Sequence, residues 1–258
     1  MANCPSMRPA PRAACLLLLS ILALAAPAWA QPRPGSVFVR GSMGVASGSL
    51  SDWNDDINND DRVFGDPILG ASELPGGVPL GFEAGYNVSD RVSFGAAFSY
   101  QKSAASNVFL DPFNSSYTTD VEVTLLGVTA SVAMWVPGAR GLFLAADLGV
   151  GFGTAKSEEH FVDDVNSANS FDANGEWDGV APIGGVYLGY QWIGPEHVLA
   201  FVRGGYRVQN LGEMDGTVTS PQLGSRTGPP LDNYGQPIGT DFSGFQLAVG
   251  LGYVFGGK

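Results

Sequence analysis

Cysteine is nearly absent from this chain of 258 residues, which carries only Cys4 and Cys15. Both fall in an N-terminal stretch that reads as a removable signal, so the rest has no disulfide scaffold, no thiolate chemistry and no Cys-ligated metal site. Basic residues are scarce as well: 13 Lys and Arg stand against 25 Asp and Glu, a net charge of −12. No basic surface is available to neutralise a phosphate backbone, and nucleic acid drops out as a partner. Charge of either sign makes up only 15% of the chain, and there are two histidines, His160 and His197. After Ala30 no run of 18 apolar residues occurs, so no transmembrane helix is available. What is abundant is 36 glycines, 17 prolines and, among the aromatics, 15 Phe, 8 Tyr and 5 Trp. That composition favours strands and turns over helices.

Residues 1–30 contain no acid, two arginines (Arg8 and Arg12), an apolar run Ala13–Ala26 and the small-residue site Ala28-Trp29-Ala30. A basic start, a short apolar core and small residues before one position make up a secretory signal peptide. Cleavage after Ala30 is expected, which divides the chain into a signal peptide, 1–30, and one domain, 31–258.

In that domain, alternation with period two recurs over about ten residues at a time, the mark of a two-faced strand. Leu80, Phe82, Ala84, Tyr86 and Val88 form one row, a polar turn 88–91 follows, and Val92, Phe94, Ala96, Phe98 and Tyr100 form the next. Leu126, Val128, Ala130, Val132, Met134 and Val136 pair in the same way, across Pro137-Gly138, with Leu142, Leu144, Ala146, Leu148, Val150 and Phe152. A third hairpin joins Val186, Leu188, Tyr190 and Trp192 to Ala200, Val202, Tyr206 and Val208 across Gly194-Pro195. A first strand near 36–46 and a last near 242–255 bring the count to eight. Short turns at 88–91, 137–140 and 193–197 alternate with long connections at 47–77, 102–119, 154–179 and 212–241.

Orientation decides the solvent. The rows opposite the apolar ones are Gly, Ala and Ser with sparse charge, too small for a core and too uncharged for a soluble surface. With the apolar rows turned outward to lipid, the small residues fill an eight-strand interior only wide enough for side chains. Closure satisfies every backbone group within the bilayer. The fold class expected is therefore all-β: an eight-stranded antiparallel up-and-down transmembrane barrel with four long extracellular loops and three short periplasmic turns, in a Gram-negative-type outer membrane. Arg40, Glu83, Asp147, Arg203 and Arg207 then point inward, where an unpaired charge costs several kcal/mol. They are expected to form an ion-pair network that plugs the lumen. Tyr86, Trp135, Tyr190, Trp192, Tyr253 and Phe255 lie near the short turns and are expected at the lipid–headgroup boundary. Trp53, Phe64, Phe109, Phe113, Phe161 and Trp177 lie in or near the long loops, as partner contacts or as clusters that order those loops.

The signal peptide, the eight alternating strands and the C-terminal run Ala248-Val249-Gly250-Leu251-Gly252-Tyr253-Val254-Phe255 resemble the small outer-membrane barrels of the OmpA/OmpX type. In that family the last strand carries a glycine, an aromatic or apolar residue three positions on, and a closing aromatic. Gly250, Tyr253 and Phe255 match, and the resemblance implies that the outer-membrane assembly machinery reads them. Outer-membrane lipid and lipopolysaccharide are the other expected partners.

Candidate chemistry is thin. Most of the acids fall in the four long connections, and Asp56, Asn58 and Asp60 fit the first positions of an EF-type calcium loop. Asp61 stands where that loop needs Gly and Pro67 where it needs Glu, so they remain candidates for a looser divalent-ion site. His160 and His197 fall at opposite ends of the barrel, neither on a strand with a Ser and a carboxylate at matching height. No cofactor and no enzymatic activity are expected. A structural or surface-interaction role, adhesin-like and carried by the acidic loops, is the reading, with a small-solute channel as the alternative and a lipid-modifying hydrolase behind it.

Overall fold

The computed structural model describes residues 33–48, 50–64, 69–70, 73–110, 115–194, 197–222, 224–232 and 234–256. The expected signal peptide and its cleavage site lie outside the described residues. Eight strands form the barrel: β1 Ser36–Ala46, β2 Leu80–Asn87, β3 Val92–Leu110, β4 Ser116–Trp135, β5 Leu142–Val162, β6 Phe171–Ile193, β7 Val198–Val208 and β8 Gly244–Gly256. Each pairs antiparallel with its neighbours in sequence, and β8 returns to β1. The sheet is closed.

The register fixes its dimensions. A path across the ladder from Val37 runs through Tyr86, Phe94, Val132, Ala146, Val186 and Tyr206 to Phe245. Gln246 faces Ala46, so the path returns opposite Ser47, and 47 − 37 gives a stagger of ten residues. With eight strands about 4.8 Å apart and a rise of about 3.3 Å per residue, this stagger implies a tilt of about 40° and a backbone radius of roughly 8 Å. Such an interior is filled by side chains.

Period-two alternation explains which side chains fill it. Phe82, Phe94, Phe98, Val128, Leu148, Val186 and Leu251 are exposed on the outer surface, Leu148 at 70%. Apolar groups at that exposure would be costly in water at about 25 cal/mol per Å²; against acyl chains they are in their proper solvent. The small residues between them, such as Gly95, Gly127 and Gly151, face the interior, where a Cβ at Gly127 would come within 2.8 Å of Ile183.

Beyond the membrane the strands do not stop where the apolar alternation stops. Tyr100, Leu126, Phe152 and Val180 lie side by side as the last apolar outward row of β3–β6, and the next row is Lys102, Thr124, Thr154 and Asp178. From there the pattern inverts. Val121, Val123, Ala155 and Trp177 are buried inward while Asp120, Lys156, Glu158 and Glu176 are exposed outward. The expected loops 102–119 and 154–179 are therefore mostly strand, with connections reduced to 111–115 and 163–170. Reading continuity from apolar rows alone fails here because the outward face passes from lipid to water and the inward face from a polar lumen to an apolar core. β4, with 20 residues, rises roughly 50 Å at this tilt, about twice the usual apolar band of about 25 Å.

The first long connection also departs from expectation. It contains a helix, α1, Ser51–Phe64, whose Trp53 and Ile57 are buried one turn apart on one face, the spacing that anchors an amphipathic helix. The last connection contributes two antiparallel pairs. Asp215–Ser220 extends the sheet beyond β6 and carries Gly224–Gly228 on its other side, while Asn210–Glu213 pairs with Gly239–Asp241.

Candidate functional site: a filled lumen under an ordered cap

Three layers occupy the barrel interior. Nearest the short turns, Phe38, Ile193, Leu199, Phe201 and Val254 form one apolar cluster, and Ala133, Trp135 and Phe143 another. Trp135 was expected at the lipid boundary. It is instead 4% exposed with its ring 5.8 Å from that of Phe143, because its odd position on β4 places it in the inward row. This apolar floor closes the periplasmic mouth.

Above the floor lie the charged groups singled out from the sequence. Arg40 donates from Nε to Glu83 Oε2 at 3.0 Å and from Nη2 to Oε1 and Oε2 at 2.9 and 2.8 Å. Its guanidinium also sits over the rings of Phe38, Phe143 and Phe201, at 5.2, 5.9 and 4.6 Å from their centroids. Three aromatic faces and a bidentate carboxylate compensate a charge removed from water. Glu83 accepts in addition from Ser131 Oγ at 3.0 Å, and Arg203 Nη1 stands 3.6 Å from its Oε2. Asp147 lies beside Arg203, Arg207 and Tyr187. Arg203 stacks over the Tyr187 ring at 4.8 Å, and Arg207 donates from Nη2 to Ser99 Oγ at 3.1 Å. The register dictates the grouping, since Arg40 and Glu83 are direct cross-strand partners and Asp147 and Arg207 both face Gly185. Tyr187 and Ser99 belong to the same layer and were not singled out from the sequence, where an inward Tyr is legible only once strand phase is known.

The third layer is an apolar cap. Leu50, Trp53, Ile57, Leu74, Trp177 and Met214 belong to one buried cluster above the lumen, with the Trp53 and Trp177 rings edge to face at 6.1 Å. Polar bonds pin α1 in place. Trp53 Nε1 donates to Thr240 Oγ1 at 3.0 Å, Asp52 Oδ2 accepts from Gly239 N at 3.1 Å, and Asn54 Oδ1 accepts from Leu74 N at 2.7 Å. Of the loop aromatics, Trp53 and Trp177 thus order the cap. Phe109 stacks with Tyr117 at 5.9 Å, and the Phe161 and Phe171 rings meet in a tilted pair at 5.6 Å, across the strand ends. Phe113 and the side chain of Phe64 lie outside the described residues.

Asp56, Asn58 and Asp60 stand on α1, and the side chains of Asn58 and Asp60 lie outside the described residues. An EF-type site wraps its ligands around the ion through a turning loop, a path that a helical backbone does not follow. His160 pairs with Asp172 on the water-facing side of β5 and β6. His197 is at the opposite end, its ring 6.1 Å from that of Tyr253. In the last strand Gly250 faces inward against Phe201, while Tyr253 and Phe255 project outward with ring centroids 4.8 Å apart.

A closed eight-stranded barrel with an apolar exterior, a side-chain-filled lumen and an ordered extracellular cap defines a small outer-membrane barrel protein. The family model described as outer membrane protein beta-barrel domain matches residues 16–181, well over half of the chain, and the chain belongs to that family and to the outer membrane. Similar solved structures include the outer membrane protein OprG from Pseudomonas aeruginosa, at 14% identity and TM-score 0.46 over 88% of this chain and 98% of that one. Ail, the attachment invasion locus protein of Yersinia pestis, is similar at 12% identity and TM-score 0.41 over 86% and 99%. A major outer membrane protein from Thermus thermophilus is similar at 10% identity and TM-score 0.44 over 86% and 99%. No curated protein sequence matches significantly.

Proposed function

We propose that this protein is a surface-interaction barrel: a rigid, non-enzymatic platform that holds an acidic β-surface above the outer leaflet. One observation carries the reading, the passage of the outward face of β3–β6 from apolar to charged within a single row while the strands continue unbroken. On that face Lys102 pairs with Glu122 at 2.6 Å and Lys156 with Glu176 at 2.9 Å, whereas Asp120 lies directly opposite Glu158. Like charges opposed across strands disfavour the isolated sheet and favour a cationic partner. Outer-membrane lipid and lipopolysaccharide surround the apolar belt in this reading, and the assembly machinery engages the last strand.

Three filled layers support a barrel without a continuous aqueous path, against the alternative of a small-solute channel. The two histidines stand at opposite ends of the molecule, which supports a non-hydrolytic role. The test is adhesion of cells displaying the barrel to polylysine-coated and to uncharged surfaces, comparing the wild type with a combined D120N, E122Q, E158Q and E176Q variant. Preferential retention on polylysine that the variant loses is expected; equal retention by both proteins overturns the reading. Purified barrel in planar bilayers is expected to give no steady unitary current, and such currents would favour the channel.

A further inference from the structure

The charge balance of the lumen is uneven. The register assigns every inward position at membrane height, and the charged residues among them are Arg40, Arg203 and Arg207 against Glu83 and Asp147. Three cations against two carboxylates leave one positive charge in a closed space of low dielectric, and protonation of Asp147 would raise the excess to two. Guanidinium does not deprotonate in proteins, so the excess cannot be relieved by losing a proton. A buried charge without compensation costs several kcal/mol.

The geometry points to a compensating ligand: we propose that the lumen binds a monatomic halide, chloride under physiological conditions, between Arg207 and Gln246. Three observations converge there. A cavity of ≈ 40 Å³ is lined by Arg203, Arg207, Gln246 and Ser99, room for roughly two or three water-sized particles and too little for an oxyanion with its hydration. Among the described residues, Arg207 Nε and Gln246 Nε2 are buried donors without a hydrogen-bond acceptor. Arg207 is 4% exposed, with Nη2 already engaged by Ser99, so its remaining donor capacity faces the cavity wall. Glu83 is committed to Arg40, Ser131 and Arg203, and Asp147, which lines the same cavity with its Oδ1 unbonded, offsets only one of the two remaining guanidinium charges, those of Arg203 and Arg207. A halide accepts from several N–H groups at once, carries the missing negative charge and fits the volume. Water supplies the acceptors but not the charge.

This inference is independent of the surface-interaction reading, since it concerns only the lumen. The direct test is crystallisation of the full barrel in detergent with bromide as the sole halide. An anomalous difference peak beside Arg207 and Gln246 is expected, and density in the cavity without anomalous signal overturns the proposal. In solution, the wild-type barrel in lipid nanodiscs is expected to unfold at a higher temperature in sodium chloride than in sodium gluconate at equal ionic strength, with the midpoint rising as chloride rises. The variant R207Q removes both the excess charge and the Nε donor, and its midpoint is expected not to respond to chloride. Equal wild-type midpoints in the two salts, or an undiminished response in R207Q, would overturn the proposal. If R207Q does not fold, the bromide experiment on the wild type still decides.

Discussion

Arg40 and Glu83 face each other across the β1–β2 ladder, and the guanidinium donates three hydrogen bonds of 2.8 to 3.0 Å to the carboxylate inside the barrel. Both are buried, so truncating one leaves the other as an uncompensated charge. Glu83→Gln is expected to destabilise the barrel by about 3–5 kcal/mol, the usual cost of breaking a buried pair. The double variant Arg40→Met with Glu83→Leu removes both charges and is expected to lose less than the single one, because Phe38, Phe143 and Phe201 already make an apolar wall around the guanidinium. Urea unfolding in lipid vesicles measures both. A single variant as stable as the wild type would show that the pair is not held as described.

Trp53 ties α1 to the cap through its ring contact with Trp177 and its bond to Thr240. Truncation to Ala removes a large buried side chain at a typical cost of about 3–5 kcal/mol, and that cost is expected to fall on the cap alone. The β1–β8 ladder does not depend on α1. Hydrogen exchange should therefore accelerate in α1 and in Gly239–Asp241 while the amides of β1 and β8 remain protected. A uniform loss of protection through the barrel would show that cap and barrel unfold as one unit.

The barrel was legible in the sequence because lipid imposes one rule on the outward positions at membrane height, from Val37 on β1 to Phe255 on β8. The cap was not. Above Leu126 and Phe152 the outward rows carry Thr124 and Lys156, which resemble loop residues when they are scored as the apolar face of a strand. α1 was hidden for another reason: its run of Asp and Asn has weak helix propensity, and the partners of Trp53, the Trp177 ring and the Thr240 hydroxyl, lie far along the chain. The lumen charges were legible individually, since phase alone sends Arg40, Glu83, Asp147, Arg203 and Arg207 inward. Their partners Tyr187 and Ser99, and the aromatic cage around Arg40, required the ten-residue stagger.

The connection 163–170 contains a titratable clamp. Asp163 accepts from Val165 N and Asn166 N at 2.9 and 2.8 Å and from Asn169 Nδ2 at 2.9 Å, and the backbone bond from Asn166, reinforced by Asn169, holds its pKa below the ordinary carboxylate value. For a carboxyl whose folded pKa is depressed, the stabilisation is complete above the unfolded value and is lost as pH falls through the folded one. Order in this loop is therefore expected to persist through neutral and mildly acidic pH and to decline only below the usual Asp range. Carboxyl carbon shifts from NMR in nanodiscs would report the midpoint. A normal Asp titration at residue 163, or loop order that changes near neutral pH, would contradict the clamp.

Gly250 presents two separable reasons for being glycine. It stands in the C-terminal run that the assembly machinery is proposed to read, and its inward face leaves no room for a side chain, since a Cβ would press on the Phe201 ring and on the Gly41 carbonyl across the β1–β8 seam. Refolding purified, urea-denatured chain into detergent involves no assembly machinery and isolates the second reason. Gly250→Ala is expected to lower the refolded yield in that assay, and the added change Phe201→Ala, which vacates the ring's space, is expected to restore part of it. Phe255→Ala alters only an exposed side chain and should refold in vitro like the wild type while accumulating less in the outer membrane of cells. If Gly250→Ala refolds normally in detergent but fails in cells, the crowding at the seam is tolerated and recognition alone fixes the glycine.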